Sequence, residues 1–262
     1  MIIRVALAGA SGRMGQTLRD LIAHRMDMLF VGALASTALQ SAAHPVVTDL
    51  RELDEPHVVI DFSQPEFTLE VARQCARDQV PLISGTTGLS QAQMYELEQL
   101  AEKIPLLWAP NMSTGVNLLE WLVRLVARAL PESEAEIVEW HHHGKRDAPS
   151  GTALRLGEAV AEARGTRLEK VGEYGERTGA RAKETIGFSV IRAGDVVGDH
   201  QVIFGEEGEA LILSHRATSR TAFASGALRA AKWLVNQAPG FYDMHDVLGL
   251  KEKIGGILSR KD

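Results

Sequence analysis

The chain has 262 residues, 45% hydrophobic and 24% charged, and its 28 Lys and Arg against 34 Asp and Glu leave a formal charge of −6. That composition belongs to a globular protein with a full core and is wrong for a disordered chain, and the acidic balance argues against a general nucleic-acid binder. A single cysteine, Cys75, excludes a disulfide framework and a cysteine-rich zinc site. Arg4 interrupts the apolar start too early for a signal segment. The longest stretch without formal charge, residues 28–48, contains Gly32, Gln40, His44 and Pro45, which spoil it as a membrane span. The expectation is a soluble protein of a reducing compartment, the cytoplasm, with no membrane and no nucleic-acid partner.

Strand and helix signals alternate along the first hundred residues. Residues 2–8 form a β-branched apolar run ending in glycines, and Met14, Leu18, Leu21 and Ile22 then share one helical face. Further strands are expected at 29–34, 57–62, 80–84 and 105–108, with helices at 65–78 and 90–103. Such alternation, with nearly continuous apolar strands, predicts a parallel sheet covered on both faces. The pattern changes after Asn111. A helix at 115–130 stops at Pro131, followed by a strand at 134–143 and a helix at 150–164. Residues 165–183 read as a long polar loop. Strands at 185–192, 201–205 and 209–215 then come without helices between them, the last two turning at Glu207-Gly208. These predict a second unit of α+β type with a mixed or antiparallel sheet. A helix at 221–236 closes the pattern.

Gly9-Ala10-Ser11-Gly12-Arg13-Met14-Gly15 links the first strand to the first helix. Glycines there permit a tight turn and close backbone approach to a pyrophosphate, and the helix start supplies free N–H groups and a positive dipole end. A glycine triplet also makes ordinary turns; the strand–turn–helix context points to a dinucleotide. An acid normally follows the second strand to hold the ribose 2′-hydroxyl, but the residues there are Ala33-Leu34-Ala35-Ser36-Thr37. Nothing at that edge repels a 2′-phosphate, and Ser36, Thr37 and Arg13 are positioned by sequence to meet one. Gly85-Thr86-Thr87-Gly88 and Ala109-Pro110-Asn111-Met112 end two further strands, on the edge where ligands collect.

The densest chemistry is Glu139-Trp140-His141-His142-His143-Gly144-Lys145-Arg146-Asp147-Ala148-Pro149-Ser150-Gly151-Thr152. If the strand continues, His141 and His143 face one side and His142 the other, so the three do not converge on one ion, and no metal site is expected. An anion site with a proton donor fits better. The helix start at Ser150-Gly151-Thr152 offers N–H groups and hydroxyls to a carboxylate, Lys145 adds charge, and a histidine transfers protons near neutral pH. A solvated polar loop is the plainer alternative.

The strings GASGRMG, GTTG, APNMSTGVN, HHHGKRDAPSGTA and RAGDVVGDH, in this order over nearly the whole chain, resemble bacterial dihydrodipicolinate reductase. This is the 4-hydroxy-tetrahydrodipicolinate reductase family of lysine and diaminopimelate biosynthesis. The resemblance implies a Rossmann-like cofactor domain formed by residues 1–112 and 221–262, and a mixed-sheet substrate and oligomerisation domain at 113–220. It also implies a homotetramer built through that sheet, and reduction of a cyclic dicarboxylic acid by NADPH or NADH. By matching position, Gly9, Ala10, Ser11, Gly12, Arg13 and Met14 belong to the pyrophosphate loop. Gly85, Thr86 and Thr87 match a cofactor-contacting turn, as do Ala109, Pro110, Asn111 and Met112. His141 matches the proton donor, Lys145 the catalytic lysine, and His142, Gly151 and Thr152 substrate-binding positions. The acid and arginine that relatives carry after the second strand are Ala35 and Ser36 here. Rival readings are an aldehyde-forming dehydrogenase using Cys75 as a thiol nucleophile, a dinucleotide-binding redox sensor, and a metal hydrolase using the histidines.

Overall fold

The structure is a computed structural model describing residues 1–38, 44–175 and 178–251. It divides into two units, Met1–Thr114 with Arg220–Asp262, and Gly115–Ser219. The elements begin with β1 (Ile3–Ala8), α1 (Arg13–Ala23), β2 (Met28–Leu34), β3 (Val46–Val47), a 3-10 turn at Leu50–Glu52, β4 (Val58–Asp61) and α2 (Pro65–Asp78). Next come β5 (Leu82–Ser84), α3 (Gln91–Ala101), β6 (Pro105–Trp108) and α4 (Thr114–Ala129). The second unit continues with β7 (Glu134–His141), α5 (Gly151–Ala163), α6 (Leu168–Val171), β8 (Gly172–Tyr174), β9 (Ile186–Arg192), β10 (Gly198–Glu206) and β11 (Glu209–Ala217). The chain then returns to the first unit as α7 (Thr221–Leu234), β12 (Gly240–Tyr242) and α8 (Met244–Val247).

The first unit is a seven-stranded sheet in the order β12-β6-β5-β4-β1-β2-β3, every pairing parallel. Alternation along β1 feeds two cores. Val5 and Leu7 pack with Leu18 and Ile22 of α1 and Leu228 of α7, while Ala6 and Ala8 face Leu69 and Cys75 of α2 and Leu97 of α3. Strand order reverses between β1 and β4, which opens a crevice at the carboxyl ends of those strands. This is a Rossmann-like arrangement, as the alternation predicts.

The second unit is a five-stranded sheet in the order β11-β10-β7-β9-β8. β10 runs antiparallel to β7 and β11, while β7, β9 and β8 are parallel. Leu119 and Val123 of α4 and Leu156 and Val160 of α5 join Ile137, Phe188, Val202 and Phe204 of the strands in one core. The mixed sheet agrees with expectation, and the boundaries of several elements do not. β7 ends at His141, two residues before the expected end, because the chain turns: His142 N–H donates to Val196 O and Lys145 N–H to His142 O. The expected loop at 165–183 contains α6 and β8; residues 176 and 177 lie outside those described.

Candidate active site

In the first unit the glycine loop is held by contact. Gly9 has φ +76°, and a Cβ there would stand 2.4 Å from Phe62 O; a Cβ on Gly15 would stand 2.4 Å from Gly9 O. Gly12 caps α1 with no side chain, and the first turn holds no acid. The first N–H groups of the helix and its positive end are therefore left to a ligand. A cavity of about 360 Å³ runs from Gly9, Ala10 and Ser11 to Ala35 and Ser36 beyond β2. This cradle suits a dinucleotide. Arg13 is exposed on the first turn and Met14 packs against the core; neither lines the cavity.

The two other strand-end turns are more committed than their sequences show. Thr86 is buried; its hydroxyl donates to Asp61 Oδ2 (2.9 Å) and accepts from Ser63 N–H (3.1 Å), and its carbonyl accepts from Trp108 Nε1 (3.0 Å). Gly85 packs on the Phe62 ring, and Thr87 is exposed. Ala109 and Met112 are buried in the first core, while Pro110 and Asn111 are half-buried. Asn111 Oδ1 accepts from Ser113 N–H (2.9 Å).

In the second unit, alternation along β7 turns Glu139 and His141 to the same face, and pairing with β10 brings His200 beside Glu139. His141 Nδ1 lies 2.9 Å from Glu139 Oε2, at an angle poor for a hydrogen bond. At that separation a small ring rotation would align it. Glu139 Oε1 accepts from Ser150 N–H (2.7 Å) and Arg192 Nη2 (2.9 Å). Burial pushes the Glu139 carboxyl up, but the contacts with His141, Ser150 and Arg192 outweigh this and hold it well below the usual carboxylate range. His200 Nε2 bonds Ser150 Oγ (3.1 Å), and its ring stands 5.0 Å from that of His141, edge to face. Burial first, then the neighbouring His141, push His200 down to about 4.

Ser150, expected to help hold an anion, is already engaged within the protein. Its N–H serves Glu139, its hydroxyl accepts from Ala153 N–H (3.2 Å) and bonds His200, and it is buried as the cap of α5. Gly151 is exposed, with nothing within 4 Å of where a Cβ would stand, so the helix start is open there. Thr152 follows in the first turn of α5. Lys145 Nζ donates to Asp147 Oδ1 (2.9 Å), and this bond holds the Asp147 carboxyl below its ordinary range. His143 Nδ1 lies 3.0 Å from Gly194 O, and His142 sits in the turn. Glu139, His141 and His200 carry potential metal-ligand atoms within 4.8 Å of one another. They suit a cation poorly, because Arg192 occupies one oxygen of Glu139 and Ser150 occupies His200 Nε2.

The partners that fix Asp61, Arg192, Glu139 and His200 are visible only in the structure. The Glu-x-His alternation at 139 and 141 was a usable signal; the contact with His200 depends on strand pairing and had none. Cys75 is fully buried, and burial pushes its thiol far up, which removes it as a nucleophile.

Family models described as the dihydrodipicolinate reductase N-terminus and C-terminus match residues 3–112 and 115–248. The chain belongs to the dihydrodipicolinate reductase family. Proteins named 4-hydroxy-tetrahydrodipicolinate reductase from Thiobacillus denitrificans and Hahella chejuensis are each 46% identical to it. Those alignments cover 96% and 95% of this chain and 100% and 99% of the relatives. The solved dipicolinate-bound dihydrodipicolinate reductase from Paenisporosarcina sp. TG-14 is 26% identical, with a TM-score of 0.78 over 93% of this chain and 98% of that one. GenD2 from gentamicin A biosynthesis, solved with NAD, shares the fold at a TM-score of 0.59, 11% identity and coverage of 97% and 92%. As a dihydrodipicolinate reductase, the chain is an NAD(P)H-dependent oxidoreductase of lysine and diaminopimelate biosynthesis.

Proposed function

We propose that the second unit binds the dicarboxylate substrate and protonates it through His141, while the glycine loop and cavity of the first unit hold NADPH or NADH. The observation that carries this reading is the buried Glu139–His141 pair, 2.9 Å apart, on the strand that leads to the open helix start at Gly151. The dipicolinate-bound relative supports a cyclic dicarboxylate as the ligand class. One carboxylate meets the N–H groups at Gly151 and Thr152, and Lys145 leaves Asp147 to neutralise the other, with His142 beside it. When bound, the reduced nicotinamide supplies hydride to the conjugated ring of the substrate. Glu139, ionised and fixed by Arg192 and Ser150, orients His141 through Nδ1 and leaves Nε2 as the nitrogen that passes a proton to the substrate. His200, neutral at working pH, anchors the Ser150 cap and does not supply that proton.

We assign residues 1–112 with 221–262 to the dinucleotide and 113–220 to substrate and subunit contacts. We further propose that the protein works in the cytoplasm as a homotetramer. Steady-state rates with the substrate and either dinucleotide test the site. His141→Ala is expected to lower kcat about 100-fold. Glu139→Gln keeps the volume and the Ser150 contact but loses the charge, and is expected to lower kcat about tenfold with KM nearly unchanged. Wild-type turnover in His141→Ala would remove His141 as the acid.

A further inference from the structure

Resting on the reading of the first unit as the dinucleotide-binding part, we infer that Arg19 and His44 form a subsite for a 2′-phosphate on the adenosine ribose. The protein then takes the phosphorylated dinucleotide, NADPH, in preference to NADH. The residues expected from sequence to meet such a phosphate were Ser36, Thr37 and Arg13; of these only Ser36 lines the cavity. Arg19, from the middle of α1, and His44, just before β3, line it as well. Phe30 of β2 brings the two together. Arg19 Cζ stands 5.6 Å from the centre of its ring, and the His44 ring packs edge-on against it at 4.8 Å.

On the side of this cavity that holds Ser36 the charge is positive. Among the described residues no Asp or Glu lines this cavity, Asp20 lining only the adjoining one that Arg19, Phe30 and His44 share, and no acid occurs in the sequence from Met28 to Thr48. The first acid beyond, Asp49, is engaged by Arg77 (2.6 Å). Among the described residues neither Arg19 nor His44 has an ion-pair or hydrogen-bond partner. A carboxylate at the end of the second strand accepts from the ribose 2′-hydroxyl and repels a phosphate there. Here that carboxylate is missing, and an always-charged guanidinium stands in the same cavity as Ser36 and a histidine. A phosphomonoester gives Arg19 the anion it lacks, in charge-assisted bonds that a hydroxyl cannot match.

The test uses the whole protein without turnover. Calorimetry measures adenosine 2′-monophosphate against adenosine, and nicotinamide fluorescence titrations measure NADPH against NADH. The wild type is expected to bind adenosine 2′-monophosphate at least about tenfold more tightly than adenosine. Arg19→Gln is expected to weaken adenosine 2′-monophosphate and NADPH about tenfold, and His44→Gln about threefold, with NADH moving less than about twofold. Arg19 and His44 are both exposed, and circular dichroism checks that the variants keep the fold. An unchanged NADPH-to-NADH affinity ratio in the Arg19→Gln, His44→Gln double variant would overturn the subsite alone. Binding of neither dinucleotide by the wild type would overturn the underlying reading and the subsite with it.

Discussion

The imidazole of His200 is 4% exposed, and burial together with His141 pushes it down to about 4. In an unfolded chain the same ring titrates near its ordinary value of about 6.5. Between those values the unfolded state binds the extra proton. The contribution of His200 to stability is therefore complete above pH about 6.5 and is lost as pH falls toward about 4, on the order of 3 kcal/mol across the window. Glu139 adds a loss of the same sign, beginning only below about pH 4.5, where its unfolded form takes up a proton. Thermal unfolding followed from pH 7 to pH 4 should show a falling Tm, with a shallower fall in His200→Gln, which keeps a polar atom near Ser150 Oγ. Parallel curves for the two proteins would show that His200 titrates normally. Local sequence carries no trace of this environment. It arises because Glu139 of β7 pairs with His200 of β10, a contact between strands far apart in the chain.

At the scale of elements, Asp61 explains why the carboxyl edge of the first sheet holds its shape. It ends β4, is fully buried, and among the described residues forms no ion pair. Instead it accepts from Ser63 N–H (3.0 Å), Thr68 Oγ1 (2.7 Å), Ser84 Oγ (2.8 Å) and Thr86 Oγ1 (2.9 Å). One carboxylate thus ties the ends of β4 and β5 to the start of α2 and to the Gly85-Thr86-Thr87 turn. Ser63 Oγ donates to it as well, so Asp61→Ala strips an acceptor from five donors, three of them the buried hydroxyls of Thr68, Ser84 and Thr86, and should cost about 3 kcal/mol, read from urea unfolding. Asp61→Asn should cost less, because the hydroxyls can reverse toward the amide. A loss under about 1 kcal/mol in the alanine variant would mean that water replaces the carboxylate. The turn itself was legible, since Gly-Thr-Thr-Gly after an apolar run is a turn signal, but the inward aim of Thr86 toward Asp61 was not. Length set a second limit: β3, β12, α6 and α8 span two to four residues, too few for a periodicity of 2 or 3.6 to show. The expected strand at 134–143 ran long because His142 and His143 suit a strand; the turn through Lys145 is set by bonds to Val196 and Gly194 from a distant loop.

At the scale of the whole molecule, the two sheets differ in what they leave uncovered. The parallel sheet of the first unit is packed on both faces, and the continuous apolar strands that cause this made it readable from the sequence. Among the described residues of the second unit, the helices α4, α5 and α6 pack in one core on one face of its sheet. Cross-strand register places Val138, Trp140, Ile191, Ile203 and Ile212 on the opposite face, with Ile191 44% and Ile212 53% exposed. Apolar side chains gathered on one sheet face mark a surface for association. The proposed tetramer gives them a partner in further copies of the same chain. Light scattering on the purified protein should therefore return the mass of four 28.5 kDa chains. Ile212→Glu places a charge on this face, away from Glu139, His141 and His200, and should shift the mass toward smaller species while circular dichroism stays unchanged. A 28.5 kDa species in the wild type, or a tetramer indifferent to Ile212→Glu and Ile191→Glu together, would show that this face does not hold the subunits.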